Sequence, residues 1–269
     1  MSAPAQAPAA AGAPSPARSR RGAPVWALGA VLPLLLLVLW QLAGPLGWFT
    51  ASQLPPPLDV LRGAQDLAAT GELQRNVAIS TQRVLLGFAA GSVLGVVLGG
   101  LVGLSRAATA LLMPTLGALR AVPSLAWVPL LGLWIGLGEP PKIVLVAIGA
   151  FFPVFTTVSS ALRHLDPALV EVGRAYGRRG ARLFGELLLP AIAPSVLAGL
   201  RLALAQSWLF LVAAELISSS MGLGYQLQNS GNQGRVDLLL LAILLLALLG
   251  KLSDVLLGLL ERRVARGRE

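Results

Sequence analysis

From residue 238 to 250 the chain reads Leu-Leu-Leu-Leu-Ala-Ile-Leu-Leu-Leu-Ala-Leu-Leu-Gly, and apolar runs almost free of charge recur along most of its length. About 20 such residues in a helix cross the hydrocarbon core of a bilayer. A water-soluble globule of this size cannot hide that much apolar surface. Hydrophobic residues make up 55% of the 269 and charged residues 12%, against about 25% charged in ordinary soluble domains. The lipid bilayer is therefore the first partner the sequence requires, and the predicted fold class is all-α, a polytopic membrane protein with about six transmembrane helices.

Residues 1–24 are mostly Ala, Pro, Gly and Ser with Arg18, Arg20 and Arg21, too polar and too short of bulky side chains to pack, and predict a disordered N-terminal arm. The first span is 25–43. It ends in Gly44-Pro45-Leu46-Gly47-Trp48 with no clear cleavage signal, so it reads as a retained span and not as a signal peptide. An external loop follows over 44–82, with Pro55-Pro56-Pro57 and one or two short amphipathic helices within 58–79. The remaining spans fall in the core, 83–260: a second at 83–104, a fourth at 143–162, a fifth at 192–217 and a sixth at 236–257. Between the second and fourth, the apolar region 109–137 is too long for one straight crossing and carries Pro114, Pro123 and Pro129, which predicts a kinked or broken helix. A basic tail closes the chain at 261–269.

Two patterns refine this picture. In the second span Gly87, Gly91, Gly95, Gly99 and Gly103 recur every four residues, which lays a groove of bare backbone along one side of a helix and lets another helix approach closely; packing within the bundle is expected, with pathway lining as the other use. The net charge of +9 raises the question of nucleic acid, but the basic residues sit at the ends of apolar segments. Thirteen of the 21 Lys and Arg fall on the side that holds both termini and five on the other, with Arg120, Arg201 and Lys251 within or near spans. The positive-inside rule then puts both termini in the cytoplasm, and no nucleic acid is expected.

The chain has no cysteine and one histidine, His164, so disulfides, thiol nucleophiles and thiolate or multi-histidine metal sites are excluded. No cofactor or metal is expected. His164 stands at a span end, as a solvated surface residue would.

Residues 163–190 are unlike an ordinary loop. Asp166-Pro167 is a helix-start signal, an N-cap acceptor followed by proline at the first helical position. Leu169, Val172 and Tyr176 then recur at helical spacing, with Glu171, Arg174 and Arg178 on other faces. Gly177 offers a turn, and a second short helical piece with Leu183 and Phe184 leads to Pro190. A basic helix lying among anionic headgroups would suit the arginines but not the spacing.

That spacing resembles the EAA loop of ATP-binding-cassette importer permeases, whose pattern is Glu-Ala-Ala, three residues, Gly, nine residues, Ile, one residue, Leu-Pro. Here Glu171, Gly177, Leu189 and Pro190 fall in register, with Val172 and Gly173 where the pattern has alanines and Leu187 in place of isoleucine. The segments at 122–130, 149–154, 214–217, 222–225 and 249–254 are similar to those of aliphatic sulfonate permeases within the nitrate, sulfonate and taurine group, and the likeness extends over about 55–263. The resemblance implies a permease subunit that moves a small organic anion inward, with taurine, nitrate or another small anion as alternatives to a sulfonate. It further implies a permease homodimer, cytoplasmic ATPase subunits and an extracytoplasmic substrate-binding protein. In that family the loop couples the ATPase to the spans, a role that would fall on Glu171, Val172, Gly173, Ala175, Tyr176, Gly177, Leu189 and Pro190.

The sequence carries no Gly-rich loop ending in Gly-Lys-Ser/Thr; Gly250-Lys251-Leu252 lacks the hydroxyl residue and the upstream glycine. The chain is not expected to be an enzyme, and ATP would be hydrolysed by a partner. Ionisable residues within spans are costly and mark pathways or pairs. The pathway candidates are Arg120, Arg201, Gln206 and Glu215; an arginine could attract a sulfonate, or could instead be paired or snorkel to the interface. Arg201 and Glu215 lie about 21 Å apart along one helix axis and could not meet within it. An ion-coupled secondary transporter is the rival class: the proline-rich third region fits its broken helices in part, but the other half has no matching segment.

Overall fold

The computed structural model describes residues 25–123 and 126–266. The predicted arm at 1–24, Ser124 and Leu125 within the 122–130 segment, and the last three residues of the basic tail lie outside the described residues. Every regular element among those described is a helix.

Helix α1 is Val25–Ala43, and Trp40 Nε1 on it donates to the Pro55 carbonyl at 2.9 Å. Helix α2, Pro57–Ala69, opens on proline with Asp59 in its first turn. Gly71, at φ +79°, resets the chain, and α3 then runs unbroken over Glu72–Leu104. Its 33 residues make a rod of about 50 Å. The second span was predicted from residue 83; the helix starts earlier because nothing between Glu72 and Arg83 interrupts it. Helix α4, Arg106–Ala121, is capped by Ser105 Oγ, which accepts from the Ala108 N–H at 3.2 Å. Next come α5, Trp127–Ile135, and α6, Pro140–Arg163, the latter with prolines in its first two positions.

The break between α4 and α5 is made by Pro123, which forces Val122 out of the helical region to ψ 125°. Pro114 stays inside α4 and Pro129 falls in the first turn of α5, where its missing N–H would have had no intrahelical partner. After α6 the chain makes α7, Pro167–Ala175; α8, Gly180–Leu183; a π-helical turn, Phe184–Leu188; and α9, Leu189–Ala191. Helix α10 is Ala193–Ser218, α11 is Leu223–Asn232 and α12 is Val236–Arg266, so residues predicted as tail continue the last helix to Arg266. By length and composition α3, α6, α10 and α12 can each cross a membrane; α1 and the broken α4–α5 pair are what remain of the six crossings expected.

The glycine ladder decides how the centre is built. Gly87, Gly91, Gly95, Gly99 and Gly103 of α3 face Val146, Ala150, Val154, Val158 and Leu162 of α6, four-residue spacing on four-residue spacing, with the two helices running the same way. A Cβ on Gly87 would stand 2.6 Å from Val146 Cβ, on Gly95 2.8 Å from Val154 Cβ and on Gly103 2.7 Å from Leu162 Cβ. In lipid, helices gain nothing by shedding water, so close backbone approach and the dispersion it allows carry the association. The facing residues on α6 are buried, while Leu85, Val93, Leu94, Val97 and Leu101 of α3 stand exposed on its other faces, as lipid-facing side chains should.

Candidate functional site

Helix α7 is bounded at both ends by its own sequence. Asp166 Oδ1 accepts from the Ala168 N–H at 2.9 Å. At the other end Gly177, at φ +75°, lets the Arg178 N–H reach the Gly173 carbonyl at 3.0 Å and its own N–H reach the Arg174 carbonyl at 2.9 Å. This is a Schellman closure, which a residue with a Cβ adopts only under strain. Gly173 is buried, and a side chain there would run into the ends of Leu183 and Leu187, so α7 lies flat on the α8 segment.

The helical stripe seen in the sequence divides in space. Leu169 and Val170 pack inward on the cluster that contains Leu162, Leu183 and Leu188, whereas Val172 is half-exposed and Tyr176 is 82% exposed. Glu171 and Ala175 are exposed beside them. Leu189 packs against the same inner cluster, and Pro190 is exposed within α9. The Phe184 ring seats on α3: a Cβ on Gly100 would stand 2.9 Å from its Cε2. Gly173, Leu183 and Phe184 thus form a continuous line of contact from α7 to α3. His164 is exposed, its Nδ1 2.8 Å from the Ser160 carbonyl.

Of the four pathway candidates, the structure brings Arg120 and Gln206 to one cleft of about 490 Å³. Its walls come from the α4–α5 break (Pro123, Trp127), from one face of α6 (Gly149, Phe152, Thr156) and from α10 (Gln206, Phe210). Arg201 is elsewhere, paired with Asp254 at 2.8 Å and Glu261 at 3.2 Å on α12. Glu215 is fully buried near the other end of α10 and accepts from Arg83 Nη1 at 2.6 Å, Ser80 Oγ at 2.9 Å and the Gly224 N–H at 2.8 Å.

That last cluster was not legible as a unit in the sequence. Arg83 also makes a bidentate pair with Glu139, both contacts at 2.6 Å, and donates to the Met221 carbonyl at 2.8 Å. Asn76 Oδ1 accepts from the Gly222 N–H and Ser80 Oγ from the Leu223 N–H, so three side chains satisfy the backbone donors leading into α11. Lys142 joins Glu139 at 3.3 Å, giving two cations and two carboxylates. The hydrogen bonds from Arg83 hold the Glu139 carboxyl below the ordinary glutamate range. The available signal was one arginine and one glutamate near the same end of two different spans, each needing a partner.

Comparison with known proteins agrees with this architecture. Residues 91–266 match the family described as binding-protein-dependent transport system inner membrane component. A Bacillus subtilis (strain 168) protein named for aliphatic sulfonates transport as a permease protein is 38% identical over 253 residues, covering 94% of this chain and 91% of that one. Its Escherichia coli (strain K12) namesake is 44% identical over 231 residues, covering 86% and 88%. Among solved structures, a chain of the MetNI methionine ABC transporter in inward facing conformations aligns with TM-score 0.64 at 22% identity, over 73% of this chain and 98% of that one; at that identity the likeness concerns the fold.

Proposed function

The chain belongs to the binding-protein-dependent transport system inner membrane component family, and on that footing we propose that it is the membrane-spanning subunit of an importer for a small organic anion, powered by a separate ATPase. It is a multi-pass membrane protein. Aliphatic sulfonate is the preferred substrate class, in keeping with the names of its relatives, with taurine, nitrate or another small anion as alternatives. The permease makes and breaks no covalent bond; its work is conformational.

The observation that carries this function is the build of α7. A helix closed at both ends, lying flat through Gly173 and presenting Glu171, Val172, Ala175 and Tyr176 outward, is a rigid handle for a partner's groove. Closure of two ATPase subunits on nucleotide would push α7, and the Leu183 and Phe184 contacts would pass the displacement to α3 and, through the glycine ladder, to α6. Both termini and α7 then face the cytoplasm, a second copy of the permease completes the pathway, and a substrate-binding protein delivers its cargo at the opposite end. Arg120 and Gln206 belong to the pathway; Arg201 and Glu215 serve it as posts that fix α10 to its neighbours.

The test is co-purification of the ATPase with wild-type permease and with Glu171→Ala, together with uptake into proteoliposomes. Lost ATPase association or lost uptake, with membrane insertion intact, supports the coupling role. A secondary transporter would be indifferent to this change, and normal ATP-driven uptake by a variant with residues 171–177 scrambled would refute the assignment.

A further inference from the structure

The cleft at Arg120 combines a cation, an apolar wall and mid-bundle depth. Gly149 and Phe152 lie halfway along α6 and Gln206 halfway along α10, so the lining sits far from either end of the spans. Arg201, Arg83 and Lys142 in the spans all have carboxylate partners. Among the described residues Arg120 has no ion pair and no hydrogen bond to its side chain, and Gln206 likewise has none. A guanidinium at this depth is expensive unless water, a partner or a ligand compensates it.

The wall is shaped for something other than water alone. Trp127, Ile148, Phe152 and Phe210 border the cleft. The Phe210 ring is held in place by Gly149, where a Cβ would stand 2.8 Å from its Cγ, and Phe152 is braced by an edge contact from Phe151 with centroids 5.0 Å apart. The threonine hydroxyls in the lining are spent on their own helix: Thr156 donates to the Phe152 carbonyl at 2.7 Å and Thr157 to the Pro153 carbonyl at 2.7 Å. Among the described residues that leaves Arg120, the Gln206 amide and the Trp127 indole N–H as the side-chain donors free to meet a solute, beside fixed aromatic surface. Such a cleft discriminates by two features at once, one negative headgroup and an apolar tail.

We infer that the permease carries its own selectivity site here, in which Arg120 and Gln206 hold the headgroup of a monovalent organic anion while Trp127, Phe152 and Phe210 take its apolar tail. This rests on the permease function proposed above and adds that recognition is not confined to the binding protein. The alternative for Arg120 is that its stem lies along α4 and its head snorkels to the interface, in which case the cleft recognises nothing.

The test uses the assembled complex with its ATPase and binding protein. The chain has no cysteine, so Leu202→Cys, a lining position one helical turn before Gln206, supplies a unique thiol in it. Butanesulfonate should slow labelling of that thiol by N-ethylmaleimide, inorganic sulfate and n-butanol should not, and the protection should vanish when Arg120→Gln is added. In uptake, Arg120→Gln should lower butanesulfonate transport by about tenfold or more with ATP hydrolysis retained, Arg120→Lys should restore much of it, and Phe152→Leu should erode the preference for butanesulfonate over methanesulfonate. Protection and uptake unchanged by Arg120→Gln overturn the inference alone. ATP-driven carriage of nitrate but of no sulfonate overturns this inference alone, whereas a wild-type complex that carries no small anion with ATP and its binding protein overturns the permease assignment and this inference with it. Labelling needs only assembled complex, so a variant too impaired to transport still reports.

Discussion

Arg83 Nη1 lies 2.6 Å from Glu215 Oε1, with the arginine side chain 2% exposed and the glutamate 0% exposed. The pair ties α3 to α10, and the hydrogen bonds around it turn the chain from α10 into α11. A buried pair is weak evidence of net stability, but removing one partner strands the other's charge. Glu215→Ala should therefore destabilise the detergent-solubilised protein by about 3–5 kcal/mol, and Glu215→Gln, which keeps the hydrogen-bonding shape, by less. Thermal unfolding followed by helical signal checks both; a Glu215→Ala protein as stable as wild type would count against the knot.

Glu139 gives a pH dependence of definite sign. Its carboxyl is held below the ordinary glutamate range by hydrogen bonds from Arg83, so its pairing contributes stability above the pKa it would have unfolded. That contribution is lost as the pH falls through the lower, folded value. The melting temperature of wild type should exceed that of Glu139→Gln at neutral pH and converge with it in acid, below the ordinary glutamate range. Equal melting temperatures at neutral pH would contradict the pairing. Because Glu139 is half-exposed, solvent screening keeps the gap small.

The glycine ladder makes a comparison within one chain. A methyl on Gly91 would collide with the Ala147 carbonyl and stand 2.9 Å from Ala150 Cβ, whereas a Cβ on Gly117 of α4 would meet nothing within 4 Å. Gly91→Ala should cost about 1–3 kcal/mol by overpacking. Gly117→Ala should be neutral or stabilising by up to about 1 kcal/mol, since alanine suits a helix interior better. Matched unfolding curves decide, and a cheaper substitution at Gly91 than at Gly117 would mean that α3 and α6 do not touch there.

Both ends of α7 can be loosened without touching its outer face. Asp166→Ala removes the acceptor of the 2.9 Å bond from Ala168, at about 1 kcal/mol, and Gly177→Ala forces a side chain into φ +75°, at about 1–2 kcal/mol. The two changes lie at opposite ends of one helix and should add. The double variant should still insert and bind the ATPase but couple poorly, read as ATP hydrolysed per solute carried. Unchanged coupling would mean that the rigidity of α7 is not used.

What the sequence by itself determined is what depends on neighbours along the chain. Charge-free apolar runs set the membrane and the all-helical class; Pro123 sets the break between α4 and α5 through its steric effect on Val122; Asp166, Pro167 and Gly177 bound α7 through bonds that span a few residues. The four-residue glycine spacing announced a close helix contact without saying which helix would fill it. Tertiary structure alone decided the rest. Arg83 and Glu215 are 132 positions apart, Arg201 meets Asp254 53 positions away, and Arg120 shares a cleft with Gln206 on a different helix. An unpaired charge inside a span is costly, and Arg83, Arg201 and Glu215 find carboxylate or arginine partners on other elements, so their choice falls to whichever helix the packing brings alongside. Val172 and Tyr176 face outward for the same reason, because α7 turned Leu169 and Gly173 toward the core that was there to receive them.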